Sequence, residues 1–374
     1  MHYQTVDGDY YFLLANKIRN GQDFVIEGLK NASGRHFSPY PPGYPLLLNV
    51  GVFFENTLQL SAVLCLHFFL IFVLGWIWIV KKLPVISLIT ICFTDTFMEL
   101  ACNQWSEFSF IIALFLAAIW ISEMESKKNL HHPLALSLFF FFIFLIRYAG
   151  IFTIGFIILK LWQSFREKAE FKFWLKTGVA LGILVLAWFS FQIWAFGQPT
   201  GGDRYANNQT NGLLAFDLLV GIANQILIFK DWSGSSYQSF VLGLIFTVFF
   251  LIWALFYSRG KASSFKPKSK FNSLISNNLI YSGLLYFLFI IPLRWYFYFA
   301  EGYDFRLLGP GTILILLGFS VRFFIDFQIR KKMLLICLWV MASCFFSLPK
   351  KEIYLKFQER IWGNTETVFP QSSP

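Results

Sequence analysis

Two carboxylates, Asp7 and Asp9, open the stretch Val6-Asp7-Gly8-Asp9-Tyr10-Tyr11. Tyr11, Leu14, Ala15 and Ile18 follow at helical spacing, and Asn20-Gly21 reads as a stop, which predicts a short amphipathic helix lying on a membrane surface. Asp7 at the start of such a helix is a good N-cap, and the free N–H groups and positive dipole end favour its ionised form. An ionised carboxylate there can take a proton from a hydroxyl as a general base. The same residue serves equally well as a cap and nothing more. Asp7 and Asp9 could together hold a divalent cation, although two carboxylates are a weak ligand set.

The other charged residues with a suggestive setting lie at the ends of apolar runs. Glu107 follows Trp105-Ser106 and starts one such run, where it is either a capping carboxylate or a group that positions a ligand. Arg147 begins the turn Arg147-Tyr148-Ala149-Gly150, and Arg306 ends Asp304-Phe305-Arg306 just before another run. A guanidinium in either place can grip phosphate oxygens with its planar fork, or reach out to lipid headgroups. Asp95 and Glu99 sit within a run, where a central Asp costs about 2.5–3.5 kcal/mol to insert and so usually faces a cavity or partner. Pro39-Tyr40-Pro41-Pro42-Gly43-Tyr44-Pro45 leads rigidly into Leu46-Leu47-Leu48. Proline suits a helix start, where its missing N–H is not needed. The histidines His2, His36, His67, His131 and His132 show no zinc-binding spacing.

The elements that must hold these residues are membrane helices. Hydrophobic residues make up 56% of the chain and charged ones only 14%, against about 25% charged in a soluble domain. The mean hydropathy is +0.58. Counting domains by length therefore does not apply. About ten runs approach the roughly 20 apolar residues that cross a bilayer: 57–80, 83–100, 105–122, 132–147, 149–162, 174–196, 237–257, 274–293, 307–325 and 333–348. The pair 132–147 and 149–162 is short and suggests a tilted or re-entrant hairpin. The expected fold is all-α, a polytopic transmembrane bundle over 57–348, with an outer first loop over 1–56 and an outer tail over 349–374.

The net charge of +10 does not signal nucleic acid, because the basic residues fall in short clusters between the runs. One set of loops carries Lys81 and Lys82, Lys127 and Lys128, Arg166 to Lys172, Arg259 to Lys270 and Arg330 to Lys332; the other set is poor in Lys and Arg. The basic set is expected to be cytoplasmic. Residues 1–56 then lie outside with no apolar run to bring them across, which leads us to expect a helix upstream. Cys65, Cys92, Cys102, Cys337 and Cys344 lie in or beside apolar runs and suggest neither a metal site nor a disulfide framework.

Taken in order, these pieces resemble the C-type glycosyltransferase superfamily of integral membrane enzymes. The likeness is to the bacterial branch related to protein O-mannosyltransferases and the aminoarabinose transferase. Asp7, Tyr11, Ala15 and Gly21 match that family's first outer loop, and Pro41 to Leu48 match its proline-rich lead into the next helix. Ser106-Glu107, Arg147-Tyr148 with Gly150, and Asp304 with Arg306 match later outer positions. The helix that precedes the first outer loop in the family and the C-terminal soluble domain of some members have no counterpart here.

The resemblance implies a polyprenyl-phosphate sugar donor, a hydroxyl acceptor on the non-cytoplasmic side, and inversion at the sugar. It implies Asp7 as the base, Arg306 and then Arg147 on the donor phosphate, and positioning roles for Glu107, Asp9, Tyr11, Tyr44 and Asp304. It implies no obligatory cofactor, with a divalent cation at Asp7 and Asp9 as an open alternative. A bacterial plasma membrane is the expected location. The rivals are a transporter or flippase of lipid-linked sugars, which Asp95 and Glu99 favour, and an inactive relative acting as a scaffold.

Overall fold

The computed structural model describes residues 6–22, 41–51, 60–92, 94–103, 105–128, 131–166, 168–197, 199, 209–226, 270–297 and 305–325. Among these residues every regular element is a helix and none is a strand. The helices are α1 (Val6–Arg19), α2 (Gly43–Gly51), α3 (Leu60–Val80), α4 (Val85–Cys92), α5 (Asp95–Cys102), α6 (Ser106–Lys127), α7 (Pro133–Ile146), α8 (Phe152–Gln163), α9 (Lys168–Phe196), α10 (Asn211–Ile226), α11 (Lys270–Tyr296) and α12 (Phe305–Ile325). A single 3-10 turn, Tyr148–Ile151, joins α7 to α8.

Helix α1 ends as the sequence pattern requires. Gly21 has φ +65°, its N–H donates to the Ile18 carbonyl at 3.1 Å, and Gln22 N–H donates to the Lys17 carbonyl at 2.8 Å. This crossed pair of bonds caps the last turn, and it needs a residue that tolerates the left-handed region. Tyr11, Leu14 and Ala15 are buried, so the expected inner face is the one that packs. Among the described residues α1 runs from Val6, so Asp7 lies within it.

Among the described residues, four helices are long and apolar enough to cross a membrane, within α3, α6, α9 and α11. The bent pair α4 and α5 makes a fifth if it counts as one span. These helices meet the expectation of about ten spans only in part; 237–257 and 333–348 lie outside the described residues. The run 83–100 is not one straight helix, because α4 and α5 meet at 73°. Hydropathy does not see the cause. Thr94 adopts extended backbone, and its hydroxyl accepts from Phe97 N–H at 3.4 Å, which starts a new helix at Asp95. Runs 132–147 and 149–162 are two short helices broken at Arg147, whose extended backbone (φ −152°, ψ 128°) interrupts the helical path.

Helix α6 forms the axis of the bundle, with most of its length buried. Helix α9 is the reverse. Val179, Ile183, Leu186 and Trp194 are exposed, as are Phe68, Phe72 and Trp76 on α3, which suits a lipid-facing surface. Helices α11 and α12 pack closely because Gly283, Gly311 and Gly318 lie where they touch. A Cβ on Gly283 would stand 2.6 Å from the Gly311 carbonyl oxygen.

Polar contacts separate the two ends of α6. At its C-terminal end Glu123 pairs with Lys81 and with Lys127, the latter at 2.7 Å. Lys160 of α8 pairs with Glu125 at 2.7 Å, and Asn278 of α11 donates to Ser122 Oγ at 2.9 Å and to Glu125 at 3.2 Å. Basic clusters that are far apart in sequence therefore share one end of the bundle. The N-terminal end of α6 carries the other polar group.

Candidate functional site

Glu107 stands in the first turn of α6 and is only 1% exposed. A carboxylate buried this deeply persists when cations and hydrogen bonds surround it. Arg147 Nη1 forms an ion pair with Glu107 Oε1, and Arg306 Nε donates to the same oxygen at 3.2 Å. The two guanidinium-bearing side chains keep 18% and 14% of their surface exposed. The carboxylate thus lies behind two cationic side chains that are themselves largely buried.

Each arginine is held by a local device. Arg147 is the extended residue between α7 and the 3-10 turn, and its carbonyl accepts from Gly150 N–H at 2.8 Å. Gly150 is packed so tightly that a Cβ would lie 2.8 Å from the Phe144 backbone. Arg306 lies in the first turn of α12, with its guanidinium 4.6 Å from the Trp105 ring centroid, within cation–π range. Tyr286 of α11 donates its hydroxyl hydrogen to the Leu307 carbonyl at 2.9 Å, one residue beyond Arg306. The Tyr286 ring meets Phe152 edge-on at 5.5 Å and Phe110 at 6.1 Å, so it wedges α6, α8, α11 and α12 together.

Helices α1 and α2 reach the same place. Tyr11 donates to Ser106 Oγ at 3.0 Å, and Ser106 Oγ stands 3.5 Å from Glu107 Oε2. Tyr44 meets the Tyr11 ring edge-on at 4.8 Å. Helices α1 and α2 are tied by Asn49, whose Nδ2 donates to the Ala15 carbonyl at 3.0 Å and to the Pro45 carbonyl at 3.3 Å. The proline-rich lead-in is buried from Pro41 to Pro45. It packs on α7 so closely that a Cβ on Gly43 would lie 2.5 Å from the Leu145 carbonyl carbon. Burial first, then the neighbouring Tyr11 and Glu107, pushes the Tyr44 phenol well above its ordinary range, so it stays protonated.

Of the residues singled out in the sequence, Glu107, Arg147, Arg306, Tyr11 and Tyr44 come together from five separate elements. Asp9 is exposed on α1. Asp7 is one helical turn before Tyr11 by register, and its side chain lies outside the described residues, as does Asp304. Glu107 is more than a helix-capping carboxylate, because its main partners are side chains of other helices. Sequence reasoning missed Tyr286, one tyrosine in an apolar run, and Arg294, which is 2% exposed and donates to Gln209 Oε1 at 3.1 Å. Among the described residues no cluster of three or more His, Cys, Asp or Glu side chains could hold a metal ion.

Chemically, the arrangement offers cationic forks with hydroxyl groups beside them, at the end of a bundle away from the main basic clusters. That suits an anionic ligand group presented at a membrane surface. No protein-family model matches the chain, and no curated protein or solved structure matches it.

Proposed function

We propose that the protein is a membrane glycosyltransferase that moves a sugar from a polyprenyl-phosphate donor to a hydroxyl acceptor on the non-cytoplasmic face. The observation that carries this reading is the convergence of Arg147 and Arg306 on one buried carboxylate. Glu107 acts as a positioning residue that sets the two forks against the place of a lipid-linked phosphate. The sidedness rests on the other end of the bundle, where Lys81, Lys127 and Lys160 gather near the basic loops.

In the proposed reaction the Asp7 carboxylate takes the proton of the acceptor hydroxyl. The acceptor oxygen attacks the anomeric carbon, and the bond from that carbon to the phosphate oxygen breaks with inversion. The lipid phosphate leaves carrying the electron pair, and Arg147 and Arg306 stabilise its growing negative charge. Tyr11 carries α1, and with it Asp7, against the head of α6 through its bond to Ser106. No cofactor takes part, and a divalent cation at Asp7 and Asp9 is tested by chelation.

A second reading, a flippase or transporter of lipid-linked sugars, is favoured by one feature: the break between α4 and α5, with Asp95 at its start. Broken helices bearing charge mark transport sites. Purified protein in lipid nanodiscs, given a radiolabelled polyprenyl-phosphate hexose, separates the two. Release of the label from the lipid, abolished in Asp7→Asn, supports the transferase. Movement of intact labelled lipid across proteoliposomes without cleavage supports the transporter and overturns the transferase.

A further inference from the structure

Ser106 is 2% exposed in the first turn of α6, next to the carboxylate that both arginines hold. Serine is a favoured helix cap, yet Trp105 takes the cap position here and makes no side-chain bond to the helix. The Ser106 hydroxyl is committed elsewhere. It accepts from the Tyr11 hydroxyl of α1 at 3.0 Å and donates to Glu107 Oε2 at 3.5 Å. The other oxygen, Oε1, takes Arg147 and Arg306. The two oxygens of one carboxylate are thus divided, one for the arginines and one for the chain that leads to α1. An ionised carboxylate only accepts, so the hydroxyl hydrogens of Ser106 and Tyr11 point in a single sense along this chain.

We propose that Ser106 is a positioning residue that sets α1, and with it Asp7, in register with the arginine pair. This rests on the transferase reading and deepens it by joining the base to the phosphate forks through one hydroxyl. The chemistry needs such a link. The acceptor proton passes to Asp7 while negative charge grows on the phosphate, so base and forks must be aligned with each other. Asp7 stands on α1, whereas Arg147 and Arg306 stand at the ends of α7 and α12. Ser106 and Glu107, neighbours at the head of α6, are where the two sets meet.

Ser106→Ala and Tyr11→Phe each break the chain, and Ser106→Thr keeps the hydroxyl. The parent, these three variants and the Tyr11→Phe/Ser106→Ala double variant are placed in nanodiscs with the radiolabelled polyprenyl-phosphate hexose. Probe binding, kcat and KM for label release, and thermal unfolding are measured. The expected result is that either single break lowers kcat about tenfold or more, the scale of a small misplacement of reacting groups, while probe binding stays parental. The double variant falls no further than either single one, because both remove the same link, and Ser106→Thr restores most of kcat. Weakened binding in Ser106→Ala with parental binding in Tyr11→Phe overturns the proposal, since the hydroxyl would then serve the arginines alone. Losses that multiply in the double variant overturn it, as does a parental kcat with a lowered unfolding temperature, which would make the bond structural only. Absence of label release by the parent overturns the transferase reading together with this inference, whereas release by the parent and by Ser106→Ala at the same rate overturns this inference alone.

Discussion

Arg147 Nη1 and Arg306 Nε meet on the same oxygen of Glu107, although the three residues come from three separate elements and Arg306 lies 199 residues beyond Glu107. One oxygen shared by two cations makes the carboxylate the dependent partner of both. Loss of Glu107 takes the shared carboxylate from both guanidinium groups, whereas loss of either arginine leaves the carboxylate one cation. Glu107→Gln should therefore destabilise more than Arg306→Gln, by about 3–5 kcal/mol for the first, the scale of removing one partner from a buried pair. Unfolding of the two single variants and the Glu107→Gln/Arg306→Gln double variant in detergent measures this. Additive costs in the double variant would show that the two side chains do not depend on each other.

Tyr286 tests whether the arginine forks need a precise seat. Its hydroxyl holds the first turn of α12, where Pro310 offers no N–H to the carbonyl four residues before it, that of Arg306. Tyr286→Phe should lower stability by about 1 kcal/mol, the net value of a typical hydrogen bond. It should also raise the KM for the lipid donor severalfold while kcat changes little. A variant with parental KM would show that Leu307 holds its place without the tyrosine.

The proposed orientation is tested at the two ends of α6. Asp9 is exposed on α1, beside the end that bears Glu107, and Lys128 is exposed just past the other end. In a background with the native cysteines replaced, Asp9→Cys should react with a membrane-impermeant thiol reagent in intact cells or spheroplasts. Lys128→Cys should react only after the membrane is opened. The reverse pattern would put the Glu107 site on the cytoplasmic side and exclude the proposed donor geometry.

How far these features were legible in the sequence depends on the range of the interaction that makes them. The end of α1 was legible because Asn20-Gly21 settles it within one turn, through bonds to Ile18 and Lys17. The break at Arg147 and the start of α2 at Gly43 were legible for the same reason, since glycine and proline act locally. The bend at Thr94 was written in the sequence too, as a capping residue followed by Asp95, but an apolar average over 83–100 hides it. The meeting of Glu107, Arg147 and Arg306 has no local signal. Each is a charge at the end of an apolar run, and only packing decides that the three ends coincide. Tyr286 was invisible because its role depends on Leu307, 21 residues later and on the next helix.

Asp7 carries the proposed chemistry. It lies in the first described turn of α1, and the positive end of a helix dipole stabilises a negative charge. By helical register it precedes Tyr11 by one turn, and Tyr11 is fixed to Ser106 at the head of α6. Asparagine at the same place is nearly isosteric and still accepts hydrogen bonds from the helix start, but it cannot take a proton. Asp7→Asn should thus leave the unfolding temperature and donor binding near parental values, while transfer falls by roughly 100-fold or more, in line with the loss of a general base. Asp9→Asn, on an exposed position, should be much milder. If both variants fail and a chelator inhibits the parent, the two aspartates hold a cation and the base works through it. If Asp7→Asn transfers sugar at the parental rate, Asp7 is not the base. Glu107 is then a poor substitute, because two arginines already hold its carboxylate, and a base would have to come from the acceptor itself or from water.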